Sequence, residues 1–314
     1  MTTIQQVVFE LSTPYAGRPY HVSGHALFQA IAGDVDDRTR RDLQVSHGIF
    51  APSEYGSYPE SHSQKGYAGK LGGSLPPVES YEDLFLFRDA AQRWLQPSRP
   101  RDAQNTMDRQ SHGGRLTVAP ESFFGVPEHQ RNSKRRVKWY VHAYLHSERE
   151  GILPLDATVL DGIQLGGARN YGFGEVSLVD SQVVELDALS FDGLRGHDAY
   201  TIELVTPYVL QSEAPDADAQ SVPWWWDTSV TGMGSDAPTR DRRLRRREER
   251  LAGEITYELA TVDHGQMVGY GGSDPVETAK NGVLRLGTHA RFGFGELRVR
   301  PAEHDRVPAR EGVA

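Results

Sequence analysis

The sequence predicts an α+β protein made of two related domains in tandem, and three observations carry that prediction. Residues 162–178 (GIQLGGARNYGFGEVSL) and 282–299 (GVLRLGTHARFGFGELRV) align on Gly166 and Gly287, and both run through aromatic-Gly-Phe-Gly-Glu into an alternating strand pattern. A second echo joins residues 10–15 and 203–208, which share Glu-Leu-x-Thr-Pro-Tyr at the end of an apolar, strand-like run. Each half therefore opens on a similar strand and closes on a similar glycine loop. The length, 314 residues, is also better divided into two domains than kept as one. The division expected is 1–190 for the first domain, with long insertions, and 198–301 for the second, followed by a polar tail at 302–314.

Taken in order, residues 2–11 alternate as a first strand, broken by Pro14, Gly17 and Pro19. Residues 23–32 then predict a helix capped by Ser23 and stopped near Gly33, with His25 at its start and His47 beyond it. The segment 66–73 (GYAGKLGG) lacks the Gly-Lys-Ser/Thr of a phosphate loop. SYED at 80–83 supplies an N-cap with a carboxylate three residues on, and Leu84, Phe87, Ala91, Trp94 and Leu95 recur at helical spacing, so a helix is expected over 81–95. Residues 97–120 form a long polar connection, and 121–126 a strand. Over 137–146, Val137, Trp139, Val141, Ala143 and Leu145 alternate with Lys138, Tyr140, His142, Tyr144 and His146. That pattern predicts a strand with one apolar face and one aromatic and basic face able to stack bases.

A short helix from Asp156 leads into the first glycine loop, and a separate strand is expected over 182–189. In the second half, Trp224, Trp225 and Trp226 stand in a polar loop and need shelter from something. Residues 241–251 read as a helix with a basic face, 254–260 as a strand and 275–280 as a short helix. Strand, helix, strands, short helix, glycine loop and last strand is the order of a split β-α-β-β-α-β unit, the ferredoxin-like or RRM-like unit, with the second half short of helices.

Composition limits the chemistry. There is no cysteine, which excludes disulfides, thiolate metal sites and a thiol nucleophile. No cofactor and no metal is expected: His142 and His146 lie too far apart along a strand to be a pair. The start lacks the apolar run of an export signal and no 18-residue apolar stretch occurs, so the expectation is a cytoplasmic protein without a membrane partner. The net charge of −9 argues against a wholly basic nucleic-acid binder. Basic residues nevertheless cluster, with five in 131–138 (RNSKRRVK) and seven arginines in 240–250. An acidic protein can thus still carry a phosphate-binding stripe.

Glycines allow positive φ and let backbone N–H groups approach a ligand. In the two loops that places Gly166, Gly167, Gly172 and Gly174, and Gly287, Gly293 and Gly295, beside the polar groups Arg169, Asn170 and Arg291.

These motifs resemble the repeat-associated RNA-binding (RAMP) superfamily of CRISPR effector complexes, whose members carry a glycine-rich loop ending in Gly-Phe-Gly. LGGARNYGFGEV (165–176) and LGTHARFGFGEL (286–297) look like two copies of it, and NTMDRQSHGG (105–114) followed by SFFGV is similar to a further stretch of that superfamily. The resemblance implies binding of guide RNA (crRNA) by one subunit of a larger ribonucleoprotein. RNA contacts are then expected from the two loops, from Asn105 and Arg109, and from Arg135, Arg136, Lys138, Tyr140 and His142, converging in a positive groove.

Two roles within the superfamily compete. A non-catalytic, Cas5/Csm4-like subunit would hold the 5′ handle of the RNA beside backbone and large subunits, and the duplicated domains favour it. A Cas6-like, metal-independent endoribonuclease would need a base, an acid and a phosphate-binding cation, for which His25 or His47 and Lys65 or Arg169 are candidates. An acidic metal-dependent loop at Asp34, Asp36 and Asp37, or a protein-interaction module that binds no nucleic acid, are the remaining alternatives.

Overall fold

The computed structural model describes residues 2–17, 21–52, 55–58, 63, 66–70, 73–88, 104–105, 122–124, 138–215, 217, 223–227, 244–251 and 255–303. They form an α+β fold of antiparallel sheets with few helices, in two compact units. One unit draws on the chain up to 58, on 64–77 and on 95–185; the other draws on 59–63, 78–94 and everything from 186.

The first unit contains, in chain order, β1 (Thr3–Leu11), α1 (Gly24–Ala32), β2 (Gly48–Pro52), β3 (Trp139–His146), α2 (Ala157–Leu160) and β4 (Val176–Glu185). Its sheet has the order β4-β1-β3-β2, all neighbours antiparallel, with His21–Val22 added at the β2 edge. The connection through α1 leaves β3 between β1 and β2, and the connection through α2 leaves β1 between β3 and β4. Ser23 caps α1 as expected, its Oγ accepting the Ala26 N–H at 3.3 Å. Asp156 caps α2, Oδ1 accepting the Thr158 N–H at 2.9 Å. The strand expected at 182–189 is instead the end of β4, which runs unbroken to Glu185 before a 3-10 turn at Leu186–Ala188.

The aromatic and basic face expected of β3 is covered. All eight residues of β3 are buried, Tyr140 at 6% exposure and His142 at 2%. The row Tyr144, Gln6 and Gln182 runs across three strands on this face, and residues 73–77 lie over it. Gln182 Nε2 donates to the Pro76 carbonyl at 3.0 Å and to Gln6 Oε1 at 2.6 Å, while the Leu75 N–H donates to Asp180 Oδ2 at 2.8 Å. A Cβ on Gly73 would stand 3.6 Å from the Tyr140 hydroxyl. Gln6, Gln182 and Asp180 thus find their partners within the unit, as burial requires.

The second unit contains β5 (Tyr200–Leu204), β6 (Tyr208–Ser212), β7 (Trp226–Asp227), β8 (Leu244–Arg250), β9 (Thr256–Val262), β10 (Met267–Tyr270), α3 (Pro275–Val283) and β11 (Leu297–Pro301). One antiparallel sheet has the order β11-β5-β10-β7 and a second the order β6-β9-β8. In strand order the first of these matches the first unit, although no helix lies between β5 and β7 among the described residues. The helix expected over 241–251 is the strand β8. Arginine and glutamate favour helices, but here they are held across the sheet: Arg246 pairs with Glu258 at 3.0 Å, and Arg245 with Asp263 at 2.7 Å. Burial alone would raise the Asp263 carboxyl, yet His264, Arg245 and Arg247 hold it well below the usual range.

Residues 78–88 belong to this unit although they precede the last two strands of the first in sequence. The helix expected over 81–95 is, in its described part, a 3-10 helix at Tyr81–Phe85 continued by turns to Arg88; residues 89–95 lie outside the described residues. Tyr81 stacks on Phe191 at 5.3 Å, and its hydroxyl accepts the Val299 N–H at 3.0 Å. Asp83 gathers the start of this segment, its carboxylate accepting from the Ser63 N–H and hydroxyl, the Glu79 N–H and the Ser80 N–H at 2.7–3.0 Å. Burial works to raise its pKa, but these bonds outweigh it and hold the carboxyl below its ordinary value. A depressed pKa stabilises the fold above the unfolded value of about 3.9 and loses that contribution as pH falls through the folded value. Asp83→Asn is therefore expected to cost about 2 kcal/mol at pH 7 and progressively less as the pH falls below about 3.9, read as the gap between urea unfolding curves of the two proteins.

Candidate nucleic-acid interface

The two glycine stretches fold into the same turn, and each is built onto its own unit's Thr-Pro motif. In the first, the Leu165 N–H donates to the Gly174 carbonyl at 2.8 Å and the Gly174 N–H to the Pro14 carbonyl at 2.9 Å. In the second, Leu286 donates to Gly295 at 3.0 Å and Gly295 to Pro207 at 2.9 Å. Thr13 Oγ1 accepts the Glu175 N–H, and Thr206 Oγ1 the Glu296 N–H, each at 2.9 Å. The two sequence echoes are thus two halves of one hydrogen-bonded element, present once per unit.

Backbone conformation repeats as closely. φ is +84° at Gly166 and +88° at Gly287, +80° and +93° at Gly172 and Gly293, and +77° and +78° at Gly174 and Gly295. Even the non-glycine pair Ala168 and His289 shares the left-handed region, at +56° and +64°. A Cβ at Gly174 or Gly295 would meet the carbonyl oxygen of Leu165 or Leu286 at 1.8 Å, so only glycine fits there. Between these fixed points each turn carries one 3-10 turn, Arg169–Tyr171 in the first and Ala290–Phe292 in the second.

The side chains on this shared frame differ. Arg169, Asn170 and Tyr171 are all exposed, together with Gly172, while Gly166 and Gly167 are half-buried and Gly174 is buried. Arg169 forms no ion pair or side-chain hydrogen bond among the described residues. In the second turn Gly287 is exposed and Gly293 and Gly295 are buried. Arg291 is half-buried with its guanidinium 5.8 Å from the Phe292 ring centre, and His289 Nε2 lies 2.8 Å from Ser212 Oγ. Burial lowers the His289 pKa.

The glutamate that ends each turn follows the same division. Glu175 is exposed, whereas Glu296 is buried against Arg88, with Arg88 Nε donating to Oε1 at 2.7 Å and both side chains fully inaccessible. The same unit holds two more pairs, buried Arg298 with half-buried Glu82 and buried Arg300 with buried Glu203, the latter at 3.3 Å. Arg285 Nε donates to the Ala290 carbonyl at 3.0 Å. Burial brings Arg285 down to about 10 and Arg298 down to about 9, so both stay cationic at neutral pH.

Of the other expected RNA contacts, Lys138, Tyr140, His142 and the backbone of Asn105 are described. Lys138 is exposed and paired with Glu10 at 2.7 Å, a bond that raises its pKa. Tyr140 and His142 are buried, Tyr140 beside Gly73. The backbone of Asn105 lies in a short strand, Gln104–Asn105, paired with Ser122–Phe124. Arg109, Arg135, Arg136 and Lys65 lie outside the described residues. His25 and His47 are both buried near the start of α1; the His47 Nδ1 accepts the Gly24 N–H at 2.8 Å, and its ring stacks on His21 at 5.4 Å. Of the tryptophans, Trp226 is buried, Trp225 half-buried and Trp224 80% exposed, so the expected shelter reaches only two of the three. The exposed Tyr171 is the group the sequence reading passed over, hidden among glycines whose pattern drew attention to the basic residues beside it.

No helix among the described residues is long and apolar enough to cross a membrane, and no three of their His, Asp and Glu side chains are placed to hold a metal ion. No family model and no curated protein matches the chain. Among solved structures it is similar to a "CRISPR associated protein Cas6", at 7% identity and a TM-score of 0.39, over 95% of this chain and 98% of that one. A likeness of that size assigns neither fold nor activity.

Proposed function

We propose that this chain binds guide RNA as a member of the repeat-associated superfamily of CRISPR-associated proteins, in a non-catalytic, Cas5/Csm4-like role beside other effector subunits. In this reading each unit is a ferredoxin-like domain, the second with no first helix among the described residues, and the strand orders β4-β1-β3-β2 and β11-β5-β10-β7 support it. The observation that carries the reading is the first glycine turn. Its backbone is fixed by four left-handed residues and by further backbone hydrogen bonds, and it presents to solvent an asparagine and an arginine that has no partner among the described residues. A guanidinium held in that way suits a phosphodiester, which it can meet with two parallel donors. Binding then comes from local contacts rather than from net charge, which is unfavourable at −9.

Arg169→Ala is expected to weaken binding of single-stranded RNA about tenfold and to reduce the slope of log affinity against log salt by about 0.7, the value for one lost phosphate contact on a single strand. An unchanged slope removes Arg169 from the interface. Purification from a host that makes CRISPR RNA tests the wider role, since a subunit brings guide RNA and neighbouring subunits with it.

A Cas6-like endoribonuclease is the second reading, favoured by the stacking of His21 on His47 beside the first turn of α1, which carries His25. The hydrogen bond from Gly24 to His47 speaks for a capping task there instead. Incubation with repeat RNA in EDTA decides: a defined product that vanishes on His25 or His47 substitution establishes cleavage.

A further inference from the structure

The aromatic residue at the tip separates the two turns more than any other group. Tyr171 is 78% exposed; Phe292, its counterpart on the same backbone, is 8% exposed and lies beneath Arg291. A lone exposed aromatic is ordinary on a protein surface. Three features set this one apart. Its backbone is immobilised, with the Tyr171 N–H bonded to the Ala168 carbonyl at 2.9 Å and Gly172 in the left-handed region at +80°. The cation two residues before it is unpaired among the described residues, whereas Lys138 and Arg149, elsewhere in the same unit, are both paired with carboxylates. The buried state of Phe292 also shows that this frame accommodates an inward ring.

A rigid, outward ring beside an exposed guanidinium has the two parts that single-stranded nucleic acid needs: a flat face for a base and a donor for the phosphate next to it. Because the turn is already ordered, little conformational freedom is lost on binding. We propose that Tyr171 stacks on one unpaired base of the bound RNA while Arg169 holds the adjoining phosphate, and that the second turn takes no base. The two copies have divided their labour, the first serving the ligand and the second, through Glu296 and Arg285, the interior of its own unit. This inference rests on the RNA-binding reading above.

The test uses the full chain and a single-stranded oligoribonucleotide carrying 2-aminopurine, with the same strand annealed to its complement as control. Tyr171→Phe should bind like the parent protein and quench the probe equally. Tyr171→Leu should weaken single-strand binding about tenfold, equivalent to about 1.4 kcal/mol, abolish the quenching, and leave duplex binding and the unfolding midpoint unchanged. If Tyr171→Leu binds and quenches normally while Arg169→Ala is impaired, the stacking role is overturned and RNA binding stands. If the parent protein binds no RNA, both fall. Loss of a co-purifying protein from Tyr171→Leu with RNA binding intact makes the turn a protein contact and overturns the proposal as well.

Discussion

Glu296→Ala is expected to destabilise the second unit by about 3–5 kcal/mol, because it leaves the Arg88 guanidinium charged, buried and without its carboxylate. The cost is large for the same reason that the intact pair adds little: both ions have already given up their water, and only their mutual contact compensates. Urea unfolding followed by tryptophan fluorescence reads the change. The matching substitution in the first unit, Glu175→Ala, removes an exposed group and should move stability by no more than about 0.5 kcal/mol. Replacing both partners, as in Arg88→Met with Glu296→Leu, should recover much of the loss. Equal effects of Glu175→Ala and Glu296→Ala would contradict the placement of residues 78–88 in the second unit.

Gly174→Ala and Gly295→Ala are each expected to cost about 3 kcal/mol, joining the strain of a positive φ to the collision of a methyl group with a backbone carbonyl at 1.8 Å. Gly172→Ala tests the two contributions separately. Its φ of +80° is as unfavourable, but no atom lies within 4 Å of the added carbon, so about 1 kcal/mol is expected. Thermal unfolding of the three variants should rank them in that order. A Gly172→Ala protein as unstable as Gly174→Ala would mean that conformation, not space, sets the requirement.

These examples mark where sequence was informative. The turns were legible because positive φ and a close carbonyl leave few alternatives to glycine, and the Thr-Pro echo was legible because it supplies fixed partners for those glycines. Helix caps at Ser23 and Asp156 were legible for a similar reason, since the interaction is complete within a few residues. What failed to show was anything decided by a distant partner. Arg245 and Arg246 read as helix formers until Asp263 and Glu258 are placed across the sheet. Tyr140 reads as part of an open face because nothing in 137–146 encodes the cover supplied by residues 73–77. The same holds for the site: each turn offers one arginine, Arg169 aligned with Ala290 and Arg291 with Asn170, and only the burial of Phe292 and Glu296 shows how their surroundings differ.

The interleaving of the two units along the chain sets a timetable for synthesis. Glu82 leaves the ribosome 216 residues before Arg298, with which it pairs. At about 5–20 residues per second, that is a wait of about 10–40 s. Through it Tyr81, Leu84 and Phe85, buried in the finished protein, have no strand to close over them. The first unit has all its strands once Glu185 emerges, so it can form while carrying this apolar loop unfinished. Nascent chains stalled between residues 190 and 290 should therefore hold a chaperone at residues 81–87, and release it when the final strand arrives.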